Sequence, residues 1–293
     1  MTLFFQQILD GIVSGSIYAL LGLAIVMVHR GSGVANFAQG EMAMFAAFIA
    51  WQCNAWGLPW FAAIIVAIVL SFGIGMFIER TMIRRASKGS LLTVIIVTLG
   101  LFLLINQGAG YIWTFQVKHF EGIMPDGGLH IGTTVLSWDS ILIVVALVIC
   151  SVLLYVLLQR TKLGLAMRAA TSNAESAELV GIKTNRIFML SWGIAAAFGA
   201  VAGVTVAPLL FLEPNMMFGP LLFAFAGVVI GGIDSPLGAV LGGMIVGISE
   251  NLAGTYISFV GSDLKVAVPL VLIIITLLIR PTGFFGHKEV QRA

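Results

Sequence analysis

Charge is what this sequence has least of. Asp, Glu, Lys and Arg make up 10% of its 293 residues, where a soluble domain carries about 25%. Apolar residues reach 59%, so an ordinary globular protein is excluded. The phosphate-binding pattern G-x-x-x-x-G-K-[ST] and the zinc-protease pattern H-E-x-x-H are both missing. The chain is therefore expected to bind no nucleotide or catalytic zinc of its own, and no other cofactor is implied. The four histidines (His29, His119, His130, His287) lack metal-ligand spacing. Clustered acids and nucleophile–base pairs are absent too, which argues against an intramembrane enzyme. Cysteine is limited to Cys53 and Cys150. One falls at the end of an apolar run and the other in the middle of another, so free buried thiols are expected rather than a disulfide. A net charge of +2 is too slight to imply nucleic acid. The N-terminus, MTLFFQQILDG, lacks the basic segment of a signal peptide and is expected to stay in the mature protein.

What is present is a series of long apolar runs. A membrane-spanning helix needs about 20 mostly apolar residues. Runs at 8–28, 37–51, 58–78, 91–113, 138–158, 187–212 and 264–280 are read as spans, with a polar loop at 114–137 that holds the turn Pro125-Asp126-Gly127-Gly128. Two shorter glycine-rich runs, 220–232 and 237–253, are split by Ile233-Asp234-Ser235-Pro236. Such a pair marks discontinuous or re-entrant helices that line a path. The expected fold is all-α, a single polytopic membrane bundle over 1–293 with eight spans, plus or minus one. Arg30, the 80–88 cluster, the 159–186 loop, Arg280, Lys288 and Arg292 share one side if the spans alternate. The positive-inside rule then puts the N-terminus outside and the C-terminus in the cytosol. Arg80, Arg84, Arg85 and Lys88 are read as topology-setting bases that touch anionic lipid, and replacing Arg84 or Arg85 alone is expected to matter little.

The loop at 159–186 is the most polar stretch of this inner side, with Arg160, Lys162, Arg168, Lys183 and Arg186. Ser172 and Glu175 form an S-x-x-E capping box that should start a helix of about two turns, ended at Gly181. Ala174, Ala177 and Gly181 would give it one flat face for a partner. The acids Glu175 and Glu178 stand among the bases. A loop that only set orientation would need none of these features, so a docking element is expected.

Other polar residues stay open to two readings. Asn36 is taken as the N-cap of the second span with Gln39 three residues on, and Glu41 as an acid in that helix's first turn. Capping and gating both fit them. Glu250 and Asn251 are either solvated interfacial residues or part of an outer mouth, and Asn106 and Gln107 are taken as headgroup-level caps. Late glycines, including Gly238-x-x-x-Gly242 and Gly243-x-x-x-Gly247, allow close helix contact, and both tight packing and sliding between two states fit them. Six spans have no ionisable residue at their centres, which argues against an ion-coupled transporter or channel.

Glu175-Ser176-Ala177-x-x-x-Gly181 resembles the EAA-x-x-x-G coupling loop of bacterial ABC-importer permeases, with Ser for the second Ala. Together with Asn36-Phe37-Ala38-Gln39-Gly40-Glu41 and Gly231-Gly232-Ile233-Asp234-Ser235-Pro236-Leu237-Gly238-Ala239, it is similar over the whole chain to LivH-type permeases for branched-chain amino acids. The resemblance implies an inner-membrane importer subunit. Its partners would be a second, LivM-like permease, two LivG/LivF-like subunits that bind ATP and Mg, and a periplasmic substrate-binding protein. Coupling to ATP would run through Ser172, Glu175, Ala177, Glu178 and Gly181. Gating or path residues would include Asn36, Gln39, Gly40, Glu41, Gly231, Gly232, Asp234, Gly238 and Glu250. Permeases for urea or short amides share much of this pattern.

Overall fold

The computed structural model describes residues 2–125, 127–131, 134–261 and 264–286. Asp126 of the expected turn and His287, Lys288 and Arg292 of the basic tail lie outside them. The helices are α1 (Thr2–Ser32), α2 (Gln39–Ala55), α3 (Trp60–Ile78), α4 (Arg84–Ala86), α5 (Leu91–Trp113), α6 (Trp138–Arg160), α7 (Lys162–Ser172), α8 (Ala174–Leu179), α9 (Thr184–Leu210), α10 (Phe218–Gly231), α11 (Pro236–Tyr256) and α12 (Ala267–Ile279). A π-helical turn, Glu79–Ile83, joins α3 to α4. Six helices are long and apolar enough to cross a membrane, as an apolar solvent requires when every backbone group must be satisfied within its own segment. Three more, α2, α10 and α12, have 17, 14 and 13 residues. The bundle is thus helical and polytopic as expected, with one small addition. A two-stranded antiparallel hairpin, β1 (Gly128–Ile131) with β2 (Thr134–Ser137), stands in the loop read as irregular.

Two ends can be told apart by their contacts. At the basic end, His29 Nδ1 lies 2.9 Å from Asp234 Oδ1, and Arg84 donates to Asn185 O at 3.0 Å. At the other end Lys118 and Leu212 form an isolated antiparallel bridge, and Trp51 Nε1 donates to His119 O. Both cysteines are buried and free.

The centre of the bundle is α2, buried along most of its length and, at 17 residues, shorter than the six long helices. It packs backbone to backbone on α9: a β-carbon on Gly203 would lie 1.9 Å from Ala43 O. A second seam joins α1, α10 and α11. Gly247 approaches the backbone of Gly15, and a β-carbon on Gly242 would come within 2.0 Å of Gly227 O. Lipid tails supply no hydrophobic drive between helices, so close packing of small residues must hold them. Outside this core, α5 and α6 turn many large apolar side chains outward, among them Leu92, Leu103, Leu104, Val148 and Leu153.

The glycine-rich pair is uneven. Helix α11 is 21 residues long, enough to cross a membrane, whereas α10 is the short partner. Gly232, at φ +105, turns the chain between them in a left-handed conformation that suits glycine. The exposed carbonyls ending α10 are closed from far along the sequence. Phe284 N–H donates to Ile230 O and Phe285 N–H to Gly231 O, each at 2.9 Å.

Candidate functional site

Two regions carry the expected functional residues, one at the basic end and one inside the bundle. The first is the 159–186 loop, which folds as two helices, not one. Helix α7 opens with the Thr161 hydroxyl accepting from Gly164 N–H at 3.1 Å and buries Gly164, Met167 and Ala170 on one side. The sequence reading missed it, although its apolar positions recur at helical spacing. Ser172 closes α7, so the expected capping box does not form. Asn173 caps α8 instead, its Oδ1 accepting from Ser176 N–H at 2.9 Å. Asn is as good an N-cap as Ser, and here it holds the extended backbone an N-cap needs.

The other end of α8 closes as expected at Gly181, whose φ is +86. Gly181 N–H donates to Glu178 O, and Ile182 N–H to Ala177 O. This crossed pair is the Schellman closure, which satisfies two carbonyls that the helix leaves over. Thr184 Oγ1 donates to Glu178. The helix is only six residues long, yet it is tied at both ends. Of the three small residues, Ala177 is buried against the chain's own body while Ala174 and Gly181 are exposed. Glu175 is exposed, and Leu179 and Val180 are 89% and 76% exposed. Two open aliphatic side chains thus stand on a braced peg among bases.

Beside the peg, Arg84 has a job that the sequence reading denied it. It donates through Nε and Nη2 to Glu79, the shorter contact being 2.6 Å, while Glu79 is 2% exposed. With its third bond, to Asn185 O, it ties the end of α3 to the start of α9.

The second region lies where α2 and α10 begin. Asn36 does not cap α2. It stands before the first turn, accepts from Ala38 N–H at 3.0 Å and donates to Gln39 Oε1 at 3.1 Å. Gln39 in turn donates to Ala195 O, at 3.1 Å. Gly40 sits against Leu221 and Met217 O, so the N-termini of α2 and α10 meet. Glu41 is fully buried, not interfacial. Its partner is Asn106, which is buried rather than a headgroup cap: Asn106 Nδ2 lies 3.2 Å from Glu41 Oε2, 2.9 Å from Pro214 O and 3.2 Å from Asn215 Oδ1. Asn106 lies about 22 Å along α5 from Leu91 and about 10 Å short of Trp113, at 1.5 Å per residue. The cluster is therefore deep in the bundle, and no sequence reading placed these residues together.

Glu250 is also buried, not a solvated end group. Tyr18 Oη donates to its Oε2 at 2.6 Å, joining α1 to α11. Gly231 and Gly238 touch backbone to backbone at the turn where Asp234 meets His29. Gly231, Gly232, Asp234 and Gly238 thus form one site at the basic end, well apart from Glu41. Among the described residues no group of three or more His, Cys, Asp or Glu side chains is placed to hold a metal ion.

Similarity to known proteins runs along almost the whole chain. Residues 7–277 match the family described as "Branched-chain amino acid transport system / permease component". The chain belongs to that family. It is 30% identical to the high-affinity branched-chain amino acid transport system permease protein BraD of Pseudomonas aeruginosa, with 99% of this chain and 98% of BraD covered. Identity to LivH of Escherichia coli is also 30%, covering 99% and 97%. A probable LivH of Methanocaldococcus jannaschii shares 28% over 98% of this chain and 95% of its own length. Among solved structures, PsaBC from Streptococcus pneumoniae in complex with Fab superposes with a TM-score of 0.52 over 96% of this chain and 93% of that one. At 15% identity that likeness speaks for the fold alone. This chain is therefore a multi-pass membrane permease component of an importer family.

Proposed function

We propose that the chain carries branched-chain amino acids inward as one of two permease subunits, driven by ATP that other subunits hydrolyse. The observation behind this reading is the peg. A six-residue helix fixed by an Asn173 cap and a Gly181 closure presents Glu175, Leu179 and Val180 outward. A rigid element of this kind transmits movement: when an ATPase changes shape around it, whichever bundle arrangement suits the new grip is favoured. Ser172, Glu175, Ala177, Glu178 and Gly181 keep their place in this scheme, with Ser172 and Ala177 as support and Glu175 as contact.

In this reading the basic end faces the cytosol and the N-terminus lies outside, as the distribution of Lys and Arg favours. LivG/LivF-like subunits hold ATP and Mg, a LivM-like subunit completes the path, and a periplasmic binding protein delivers cargo to the opposite end. The substrate class follows the relatives that match along their whole length. The test is uptake of labelled leucine, isoleucine and valine by the reconstituted complex in proteoliposomes with ATP inside or outside. ATP-dependent uptake of all three supports the reading. Uptake on an ion gradient without ATP, or no uptake of any of them, overturns it.

A further inference from the structure

The Glu41 cluster has more acceptors than donors. The Asn106 amide offers two N–H groups to Glu41 Oε2, Pro214 O and Asn215 Oδ1. Its orientation is fixed, because Gln107 Nε2 donates to Asn106 Oδ1 at 3.2 Å. Two N–H groups serve three acceptors, of which Asn215 is exposed while Glu41 is buried. The other carboxylate oxygen, Glu41 Oε1, is buried and meets no donor among the described residues. No Lys, Arg or His nitrogen of those residues pairs with it either, the ion pairs being His29–Asp234 and Arg84–Glu79. A lone carboxylate is strongly disfavoured at such a depth unless a cation or a proton joins it.

We propose that Glu41, positioned by Asn106, is a membrane-interior subsite for the α-ammonium group of the amino acid in transit. This rests on the reading of the chain as an amino acid permease. An ammonium group brings three N–H donors and no acceptor, which is the complement of what the cluster lacks. An apolar cavity of about 390 Å³ lies between α2, α3 and α5, one residue along each helix from the cluster, though no cluster residue lines it. Met42, the neighbour of Glu41 on α2, and Ile105, the neighbour of Asn106 on α5, both line it, with Phe45, Ile74 and Leu101. Charge recognition at the cluster and aliphatic space next to it suit a small zwitterion with a branched apolar side chain. The wall to be moved aside is α5, which is largely exposed along its outer face. The subsite reads the group that all amino acids share, so it separates amino acids from amides and sugars without choosing among leucine, isoleucine and valine.

The deciding variant is Glu41→Gln in the full complex. Gln has the shape of a protonated Glu, so a purely structural, neutral role would survive the change. The expected result is a fall in leucine uptake of about tenfold or more, as when one partner of a buried charged pair is lost. Uptake by Glu41→Gln equal to wild type overturns the proposal. Should that variant fail to assemble, the wild-type complex gives a second measurement: labelling of Glu41 by dicyclohexylcarbodiimide, read by mass spectrometry during turnover. Protection by leucine supports the subsite, and labelling that is absent or indifferent to leucine overturns it. Wild-type uptake that demands sodium would give the cluster to a metal ion and overturn it as well. A wild-type complex that moves no branched-chain amino acid at all would sink the underlying reading instead.

Discussion

Glycine plays opposite parts on the two sides of this bundle. In the seam of α1, α10 and α11, and where α9 crosses α2, glycines are the points at which backbones touch. A β-carbon on Gly231 would fall 1.9 Å from Gly238 O, and one on Gly203 equally close to Ala43 O. On α5, Gly100 and Gly108 would admit a β-carbon with nothing within 4 Å. The same residue type thus marks a welded block on one side and an open wall on the other. A machine that alternates between two arrangements needs both: a body that moves as a unit and a surface with somewhere to go.

The sharpest way to break this contrast is to add side chains to the weld. Gly203→Leu or Gly242→Leu should abolish the assembled complex, because backbone cannot give way as a flexible side chain can. Gel filtration in detergent checks it, and a normal elution profile would show the seam to be loose. Next in size is Arg84→Ala, which strands Glu79 at 2% exposure. A loss on the order of 2–3 kcal/mol is expected, seen as a lower melting temperature in detergent and partly restored by adding Glu79→Gln. Of the peg variants, Glu175→Lys should leave the melting temperature alone, whereas Gly181→Pro also loosens the closure of α8, because proline can neither hold φ +86 nor donate to Glu178 O. Glu175→Lys and Gly181→Pro should insert and assemble, yet lower substrate-stimulated ATP hydrolysis several-fold. Normal turnover in both would remove the peg from the coupling path. Smallest of all, Gly100→Ala and Gly108→Ala should be neutral or slightly stabilising, by up to about 1 kcal/mol each. Destabilisation of the assembled complex by either would show that another subunit lies against that wall.

Hydropathy made most spans legible, since an apolar solvent leaves few alternatives to long helices. Helix α5 has the bounds expected of it, and α6 agrees to within two residues at its end. The depth of polar residues was not legible. Asn36, Gln39 and Glu41 look from sequence like an interfacial helix start, because a helix that begins inside a membrane has the same first turn as one that begins at its edge. What separates the two is tertiary: Asn106 reaches Glu41 across 65 positions of sequence. Glu250 was misplaced for the same reason, as its partner Tyr18 lies on a helix at the far end of the chain. At the peg the stop signal was clear because left-handed geometry singles out glycine, whereas the start was one residue off. Ser172 and Asn173 are adjacent and both able to cap, and only the backbone at Asn173 decides between them.

The N–H groups of Phe284 and Phe285 finish α10, and this sets a limit on the order of biogenesis. Until the ribosome has released the region after α12, α10 lacks the two donors that cover Ile230 O and Gly231 O. Insertion of α10 and α11 is therefore provisional during synthesis. A nascent product halted before residue 284 should look unfinished to a membrane protease, however many of its helices are already in place.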